Sequence, residues 1–252
     1  MKIQLSNVCK AFGDQVVLDD LDLTVEPHRI TVIIGESGGG KSVLLKHIIG
    51  LIRPDSGSVY IDDVDISVLN DRQLNEVRKN FGMLFQEAAL FDSMTVGENV
   101  AFPIREHTRL SKEEINGIVE EKLRQVGLKK VTGKMPAELS GGMRKRVGLA
   151  RALALNPKII LFDEPTAGLD PIRRDDIDRL IVKTQQLTGA TCLVISHDID
   201  STFKIAHKVA MLYNGRIIEY GSPEKIKHSE NPVVKNFIEG KSSSDQRLAD
   251  YV

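Results

Sequence analysis

A glycine-rich segment at residues 35–42 constrains the fold of this chain more than any other feature. It reads G-x-x-x-x-G-K-S and lies between an apolar run that ends at Ile34 and a periodic segment that begins at Val43. This order of strand, loop and helix lets backbone amides point at phosphate oxygens, and the helix adds its positive N-terminal end. The sequence therefore predicts a site for nucleotide phosphates, in which Lys41 reaches the β- and γ-phosphates and the Ser42 hydroxyl lies on Mg²⁺.

Composition narrows the functional classes. The chain has 252 residues, of which 41% are hydrophobic, and a formal net charge of −1. The length and the hydrophobic fraction suit one large α/β domain, or a domain with an inserted lobe. Because the net charge is nearly zero, electrostatics does not favour nucleic acid as the principal partner. No apolar stretch approaches the roughly 20 residues that cross a bilayer, and the first residues lack a signal-peptide pattern. A membrane role is therefore expected to come through partners.

The order of apolar segments predicts an α/β fold. Short strands are expected first, then a helical pattern at residues 95–137, then apolar strands separated by helices. We therefore expect a P-loop NTPase core with a mostly parallel sheet, an antiparallel β section and a helical subdomain inserted at about residues 87–155. This unit is expected to span residues 1–240, and a flexible polar tail at 241–252 could contact a neighbouring subunit. The predicted strands are residues 3–9, 16–25, 57–61, 81–85, 158–163, 191–196 and 209–213.

Two adjacent acids follow the apolar run at residues 159–162. At the end of a buried strand, next to a phosphate-binding loop, such a pair is typical of a Mg²⁺-dependent phosphoryl site. We expect Asp163 to help hold the ion, through its water shell, and Glu164 to polarise the water that attacks the γ-phosphate.

Two further polar residues follow predicted strands. His197 comes after residues 191–196, and Gln86 comes after residues 81–85. Parallel neighbours in such a sheet end at the same edge, so His197 is expected to touch the γ-phosphate or to orient the water. Gln86 is expected to sense Mg²⁺ or water while its loop moves.

A second anion site is predicted at the start of another helix. Ser140, Gly141 and Gly142 precede a periodic helical segment, and they offer a hydroxyl, backbone amides and a positive helix end. The loop at residues 35–42 already surrounds one nucleotide, so this second site has no phosphate of its own to bind. The sequence therefore predicts that a second copy of the chain faces it head to tail.

Taken together, these segments resemble the ABC transporter ATPase family over nearly the whole chain and in the family order. The matching parts are the P-loop at 35–42, the Q-loop at Gln86, the signature at 139–143, the Walker B run ending at Glu164, the D-loop at 167–170 and the switch residue His197. The resemblance implies the ABC ATPase fold, hydrolysis of ATP with Mg²⁺ coupled to transmembrane transport, a head-to-tail dimer and permease partners.

The resemblance also implies a role for each matching residue. Lys41, Gln86, Glu164 and His197 are expected to be catalytic, and Ser42, Gln86 and Asp163 are expected to hold the metal. Phe12 lies at the position where family members stack the adenine on an aromatic ring. The expected nucleotide-binding residues are Phe12, Gly35, Glu36, Ser37, Gly38, Gly39, Gly40, Lys41, Ser42, Val43, Ser140, Gly141, Gly142 and Asp170.

The signature departs from the family pattern at one position. Met143 stands where the family usually has glutamine, and its thioether cannot donate an amide hydrogen bond to the nucleotide of the partner. Ser140 and the glycines remain, so ATP use is still expected. The basic residues that follow, Arg144, Lys145 and Arg146, are expected to lie mostly on a solvated helix face.

Within the family, four segments look like the MlaF branch, which powers phospholipid traffic between the membranes of Gram-negative bacteria. They are residues 83–91, 103–108, 139–143 and 231–240. This resemblance implies an integral-membrane permease, an MCE-domain protein and a small STAS-domain protein as partners. It also implies a peripheral position on the cytoplasmic face of the bacterial inner membrane.

The region between sheet and helical lobe, residues 86–99, is expected to receive a permease helix. Leu90, Phe91 and Met94 either line that groove or fill the core of the lobe. Other functions also stay open: an importer for amino acids or other small solutes, a non-transport ABC ATPase of DNA repair or translation, and a scaffold that binds ATP without turnover. A non-transport ABC ATPase usually needs two cassettes in one chain or a long coiled coil. The presence of both Glu164 and His197 disfavours a scaffold that does not hydrolyse ATP.

Overall fold

The computed structural model describes residues 1–241, and within them ten strands form two sheets. The antiparallel sheet has the order β2-β1-β4-β5, and the larger sheet has the order β10-β9-β3-β8-β7-β6. The strands are β1 (Ile3–Phe12), β2 (Gln15–Val25), β3 (Ile30–Ile34), β4 (Ser56–Ile61), β5 (Val64–Asp65), β6 (Phe81–Leu84), β7 (Ile159–Asp163), β8 (Thr191–Ile195), β9 (Lys208–Tyr213) and β10 (Arg216–Gly221).

Helices cover the larger sheet and form a lobe between β6 and β7. The lobe consists of α3 (Val96–His107), α4 (Lys112–Gln125) and α5 (Gly141–Ala152). The remaining helices are α1 (Lys41–Ile48), α2 (Asp71–Arg78), α6 (Pro171–Thr188), α7 (Ile199–Ile205), α8 (Pro223–Lys227) and α9 (Pro232–Ile238), with short 3-10 turns at Ile66–Val68 and Pro136–Glu138.

The larger sheet is parallel apart from its edge strand β10. β3 lies between β8 and β9, and β7 lies between β8 and β6, each pair being parallel. Every residue of β3 and β8 is buried, because helices or the antiparallel sheet cover both faces. The carboxyl ends of β3, β6, β7 and β8 therefore meet at one edge. The predicted α/β class, with a mostly parallel sheet and an antiparallel section, is confirmed.

Local sequence signals explain where the helices of the lobe begin. The Ser111 side chain accepts a hydrogen bond from the Glu114 amide, and Glu114 in turn accepts from the Ser111 amide. Thr95 and Glu98 form the same reciprocal cap at the start of α3. Apolar residues of α4 then pack into one core with α3, α5 and the underside of the parallel sheet; they include Ile115, Val119 and Leu123.

Several elements differ from the sequence predictions. β1 extends to Phe12, beyond the predicted end at residue 9, through register shifts in its pairing with β2. β6 ends at Leu84, so Gln86 lies in the following loop. Of the predicted tail, residues 242–252 lie outside the described part of the chain. Within residues 1–241, no helix is both long enough and apolar enough to cross a membrane.

Candidate functional site

The loop after β3 is held in a curled conformation that only glycine permits at two positions. A Cβ on Gly35 would lie 2.3 Å from the carbonyl oxygen of Leu212 on β9. Gly40, which precedes α1, has a φ of 93°, in the region that L side chains rarely adopt. The loop is therefore drawn close against the sheet, with its backbone turned toward the start of α1.

The start of α1 is unlike the start of any other α-helix in residues 1–241. Its first residue follows Gly40, and no side chain caps its amides. The first amides of a helix have no partner within the helix, so an uncapped N-terminus is a place for an anion. The other eight α-helices each begin with a side chain that accepts a hydrogen bond from an early amide: Asn70, Thr95, Ser111, Ser140, Asp170, Asp198, Ser222 and Asn231.

Lys41, the first residue of α1, folds back over the same loop. Its ammonium donates to the carbonyl oxygens of Gly35 and Glu36, at 2.7 and 2.8 Å. Burial lowers the pKa of Lys41, and the nearby carboxylates of Glu164 and Asp163 oppose that shift. The positive charge therefore lies beside both the uncapped helix end and the acids of β7.

Asp163 ends β7, and its side chain is half-buried. Burial, and then the charge of Glu164, raise the pKa of Asp163, while Lys41 lowers it. Ser42, Gln86 and Asp163 offer the oxygen donors that Mg²⁺ prefers. Within residues 1–241 no group of three or more His, Cys, Asp or Glu side chains could hold a metal. Mg²⁺ is usually bound by one or two protein side chains together with substrate phosphates and water, and the three side chains named above have the oxygen atoms for that role.

Glu164 and His197 form a pair at the same edge. The Nδ1 atom of His197 lies 2.8 Å from Oε2 of Glu164. The backbone of Glu164 has a φ of 47°, and its amide donates to the carbonyl oxygen of Ile195 at 3.0 Å. A left-handed conformation in a residue other than glycine costs about 1–3 kcal/mol and is often found at active sites. The pair can orient and polarise a water molecule.

A ladder of polar contacts holds the loop that carries His197. Asp198, the N-cap of α7, accepts from the Arg174 guanidinium at 2.6 Å, and the Ser201 hydroxyl donates to Asp178 at 2.8 Å. Arg174 and Asp178 lie one turn apart on α6, so both rungs join α6 to α7. None of these four residues was predicted to belong to the site; only Asp198 has a recognisable sequence signal, as a capping residue directly before a helix.

A cleft of about 460 Å³ opens beside the loop of residues 36–39. Val16, Val17 and residues 212–215 form its other walls. Phe12 lies outside this lining; its ring is half-exposed at the end of β1, with the Lys10 ammonium 5.5 Å from the ring centroid. Val16 and Val17 could not be identified as cleft residues from the sequence, because two apolar residues at a strand start carry no functional signal.

The second predicted anion site lies at the start of α5. Ser140 is exposed, caps the helix and accepts from the Met143 amide at 3.3 Å. None of residues 139–143 is among the described residues that line the cleft. Met143 is half-buried and packs its side chain against the core.

Two further residues named in the sequence predictions make hydrogen bonds within the chain. Lys145 is buried, contrary to the expected solvated face, and its ammonium donates to the carbonyl oxygens of Pro165 and Ala167. Asp170 caps α6 by accepting from the Arg173 amide at 3.0 Å. That hydrogen bond lowers the pKa of the Asp170 carboxyl.

An apolar groove of about 490 Å³ lies between β6 and the lobe. Phe85, Phe91 and Phe102 line it together with Arg151. Of the three residues expected there or in the core, Phe91 lines the groove, and Leu90 packs against the core. Met94 is half-buried and is not among the lining residues.

Comparison with known proteins identifies the family. Residues 18–167 match the model of the ABC transporter family. The chain belongs to the ABC transporter family. An ABC cassette binds and hydrolyses ATP, so this chain is an ATPase of that family.

Several ABC relatives match almost the whole chain. The protein MlaF of Haemophilus influenzae, an intermembrane phospholipid transport system ATP-binding protein, is 42% identical over 254 residues, which cover 99% of this chain and 96% of that protein. MlaF of Escherichia coli is 40% identical over 94% of this chain and 88% of its own length. A Mycobacterium tuberculosis protein named "probable ribonucleotide transport ATP-binding protein mkl" is 44% identical over 96% of this chain and 67% of its own length.

Solved ABC cassettes share the fold. A dimeric cassette bound to ADP and phosphate in a post-hydrolysis state matches with a TM-score of 0.80 and 33% identity, over 88% of this chain and 98% of that chain. The protein cbiO1 from Clostridium perfringens, part of the ABC transporter complex cbiONQ, matches with a TM-score of 0.83 and 27% identity, over 98% of both chains. The predicted ABC ATPase fold is confirmed.

Asp178 gives the ladder a measurable pH signature. Burial raises the pKa of Asp178 to about 6 from an ordinary 3.8. The folded chain favours the protonated carboxyl, so this residue's contribution to stability is complete below pH 4 and declines as the pH rises through about 6. The free energy of unfolding of Asp178→Asn minus that of the wild type should therefore increase by roughly 2–3 kcal/mol between about pH 4 and about pH 6.

Urea unfolding between pH 4 and pH 7 measures this difference. Asp176→Asn, an exposed acid two residues earlier, is the matched control and should follow the wild-type profile. Parallel profiles for Asp178→Asn and the wild type would contradict the assigned burial of this carboxyl.

Proposed function

We propose that this chain is the ATP-hydrolysing subunit of a transporter that moves phospholipid between two bacterial membranes. The match to MlaF of Haemophilus influenzae carries the proposal, because it extends over 99% of this chain and 96% of that protein. The relative named for ribonucleotide transport is slightly more similar in identity, but this chain corresponds to only 67% of its length. Ribonucleotide or other small-solute transport is therefore the second candidate.

In the proposed mechanism, the first steps belong to the loop of residues 35–42. Its amides and the uncapped end of α1 bind the β- and γ-phosphates. Lys41 exchanges its hydrogen bonds to Gly35 and Glu36 for hydrogen bonds to phosphate oxygens. Its buried ammonium is therefore hydrogen-bonded both before and after the nucleotide binds. Ser42, Asp163 and Gln86 would hold Mg²⁺, which when bound neutralises charge on the phosphates.

Hydrolysis is assigned to the pair at the ends of β7 and β8. Glu164 accepts a hydrogen bond from the attacking water and polarises it toward the γ-phosphate. His197, hydrogen-bonded to Glu164, keeps the carboxylate aimed and contacts the γ-phosphate. The ladder from α6 to α7 fixes the loop of His197 during this step.

A second copy completes each site in the proposal. Ser140, Gly141 and Gly142 at the start of α5 bind the phosphates of the nucleotide on the facing copy, as expected for a helix N-terminus with an exposed hydroxyl. The dimeric state of the related cassette with ADP and phosphate supports this arrangement. Met143 adds no hydrogen bond there.

The apolar groove is the proposed seat of a permease helix. Three phenylalanines and Arg151 line the groove, and one of them, Phe85, directly precedes Gln86 in the sequence. A change at the γ-phosphate could therefore reach the permease through a short segment of backbone. An MCE-domain protein and a small STAS-domain protein are the further proposed partners, at the cytoplasmic face of the inner membrane.

The catalytic assignment predicts different failures at two residues. Glu164→Gln should bind ATP and accumulate as a closed dimer, because water activation is lost, with hydrolysis reduced at least about a hundredfold. Lys41→Ala should lose most nucleotide binding. Nucleotide binding, phosphate release and sedimentation with ATP measure the three properties. Wild-type hydrolysis by Glu164→Gln would remove that residue from its role.

The cargo and the groove are tested together by capture from native membranes. The wild-type chain, isolated in detergent with its partners, should bring down a permease, an MCE-domain protein and phospholipid, identified by mass spectrometry. Phe91→Glu, which places a charge in the groove, should lose these partners and keep ATP hydrolysis. Leu187→Glu alters an apolar residue that is 65% exposed and does not line the groove, and it should behave as the wild type. A solute permease without lipid would support the second candidate instead.

A further inference from the structure

Lys145 is a buried cation that the mechanism above does not use. It lies in the second turn of α5, and only 7% of its surface is exposed. Its ammonium donates to the carbonyl oxygen of Pro165 at 2.7 Å and to that of Ala167 at 2.8 Å. Among residues 1–241 no acid forms an ion pair with it, so main-chain carbonyls are its hydrogen-bond partners.

These bonds must offset a considerable cost. Burial lowers the pKa of Lys145, and the more distant charges of Glu87 and Glu164 oppose that shift. A buried ammonium is tolerated when charge-assisted hydrogen bonds replace its water. Because loss of either partner would leave the charge uncompensated, Lys145 holds α5 and residues 165–167 at a fixed separation.

The two connected segments serve different nucleotides. Ser140, five residues before Lys145, starts the helix assigned to the nucleotide of the facing copy. Pro165 follows directly after Glu164, the residue assigned to the chain's own nucleotide, whose backbone is held in a left-handed conformation. A displacement of either segment is therefore transmitted to the other through a single side chain.

We propose that Lys145 is a positioning residue that couples the two nucleotide sites of the dimer. Binding of the facing copy's nucleotide phosphates at the start of α5 sets the position of this helix. Through its hydrogen bonds to residues 165–167, Lys145 then sets the position of the backbone that follows Glu164, and so the orientation of the Glu164 side chain. Each copy therefore hydrolyses its own ATP efficiently only when its signature helix is engaged. This inference rests on the proposed function.

Lys145→Met tests the coupling, because it keeps an unbranched side chain only one atom shorter and removes the donor. We expect the turnover number to fall at least about tenfold, since small misplacements of catalytic groups have effects of that size. ATP affinity at the chain's own loop, measured by equilibrium binding, should stay within about twofold. Lys145→Arg, which retains charged donors, should recover most of the turnover.

Lys122→Met is the matched control. Lys122 is also buried, at 5% exposure, in the same lobe, and its ammonium donates to Asn156 at 2.7 Å, so its hydrogen bond joins α4 to residue 156 rather than α5 to residues 165–167. It should lose stability without the tenfold fall in turnover. If Lys145→Met does not fold, comparison of Lys145→Arg with Lys145→Gln measures the same dependence on a charged donor.

Three outcomes separate the hypotheses. A selective fall in turnover for Lys145→Met, recovered by arginine, supports the coupling. Equal turnover of Lys145→Met and the wild type, or a parallel loss of ATP affinity, overturns it while the proposed function stands. A wild-type chain that shows no hydrolysis dependent on Glu164 overturns the proposed function itself, and the coupling with it.

Discussion

The parallel pairing of β3, β8 and β7 brings the ends of three strands to one edge of the larger sheet, and the site depends on that pairing. Asp163 lies opposite Ile195, and the amide of Glu164 donates to the same residue. This register sets the distance between Glu164 and His197. Both faces of β3 and β8 are covered, so a shift of one residue would exchange the side chains packed on the two faces, and the apolar core therefore fixes the position of the polar groups.

Around this edge the chain leaves several local preferences unsatisfied. Helix α1 lacks the side-chain cap that every other α-helix in the described part of the chain possesses, and Glu164 adopts a left-handed backbone. Lys41 and Asp163 are both partly removed from water. Each feature costs stability, and such unsatisfied groups are typical of functional sites. In the proposed function, anionic phosphates would satisfy the free amides of α1 and the charge of Lys41.

The sequence allowed prediction of the features that depend on local order. The loop before α1, the buried strands and the Ser111 cap follow from motif, periodicity and spacing. The contacts of Lys145 and Arg174 could not be predicted, because their partners lie 20 to 24 residues away and belong to separate elements. Lys145 has charged neighbours on both sides in sequence, a pattern that usually indicates a solvated face. Edge strand β10 was missed because most of its residues are only half-buried and give no clear alternation.

The most direct test of this account is a structure of full-length Glu164→Gln with Mg²⁺ and ATP. The account predicts two copies facing head to tail, with each γ-phosphate within hydrogen-bond distance of Lys41 from one copy and of Ser140 from the other. The central claim is that the facing copy completes each site. It would be contradicted by a dimer, also present in solution, in which Lys41 holds the nucleotide while Ser140 of the second copy is turned away from it.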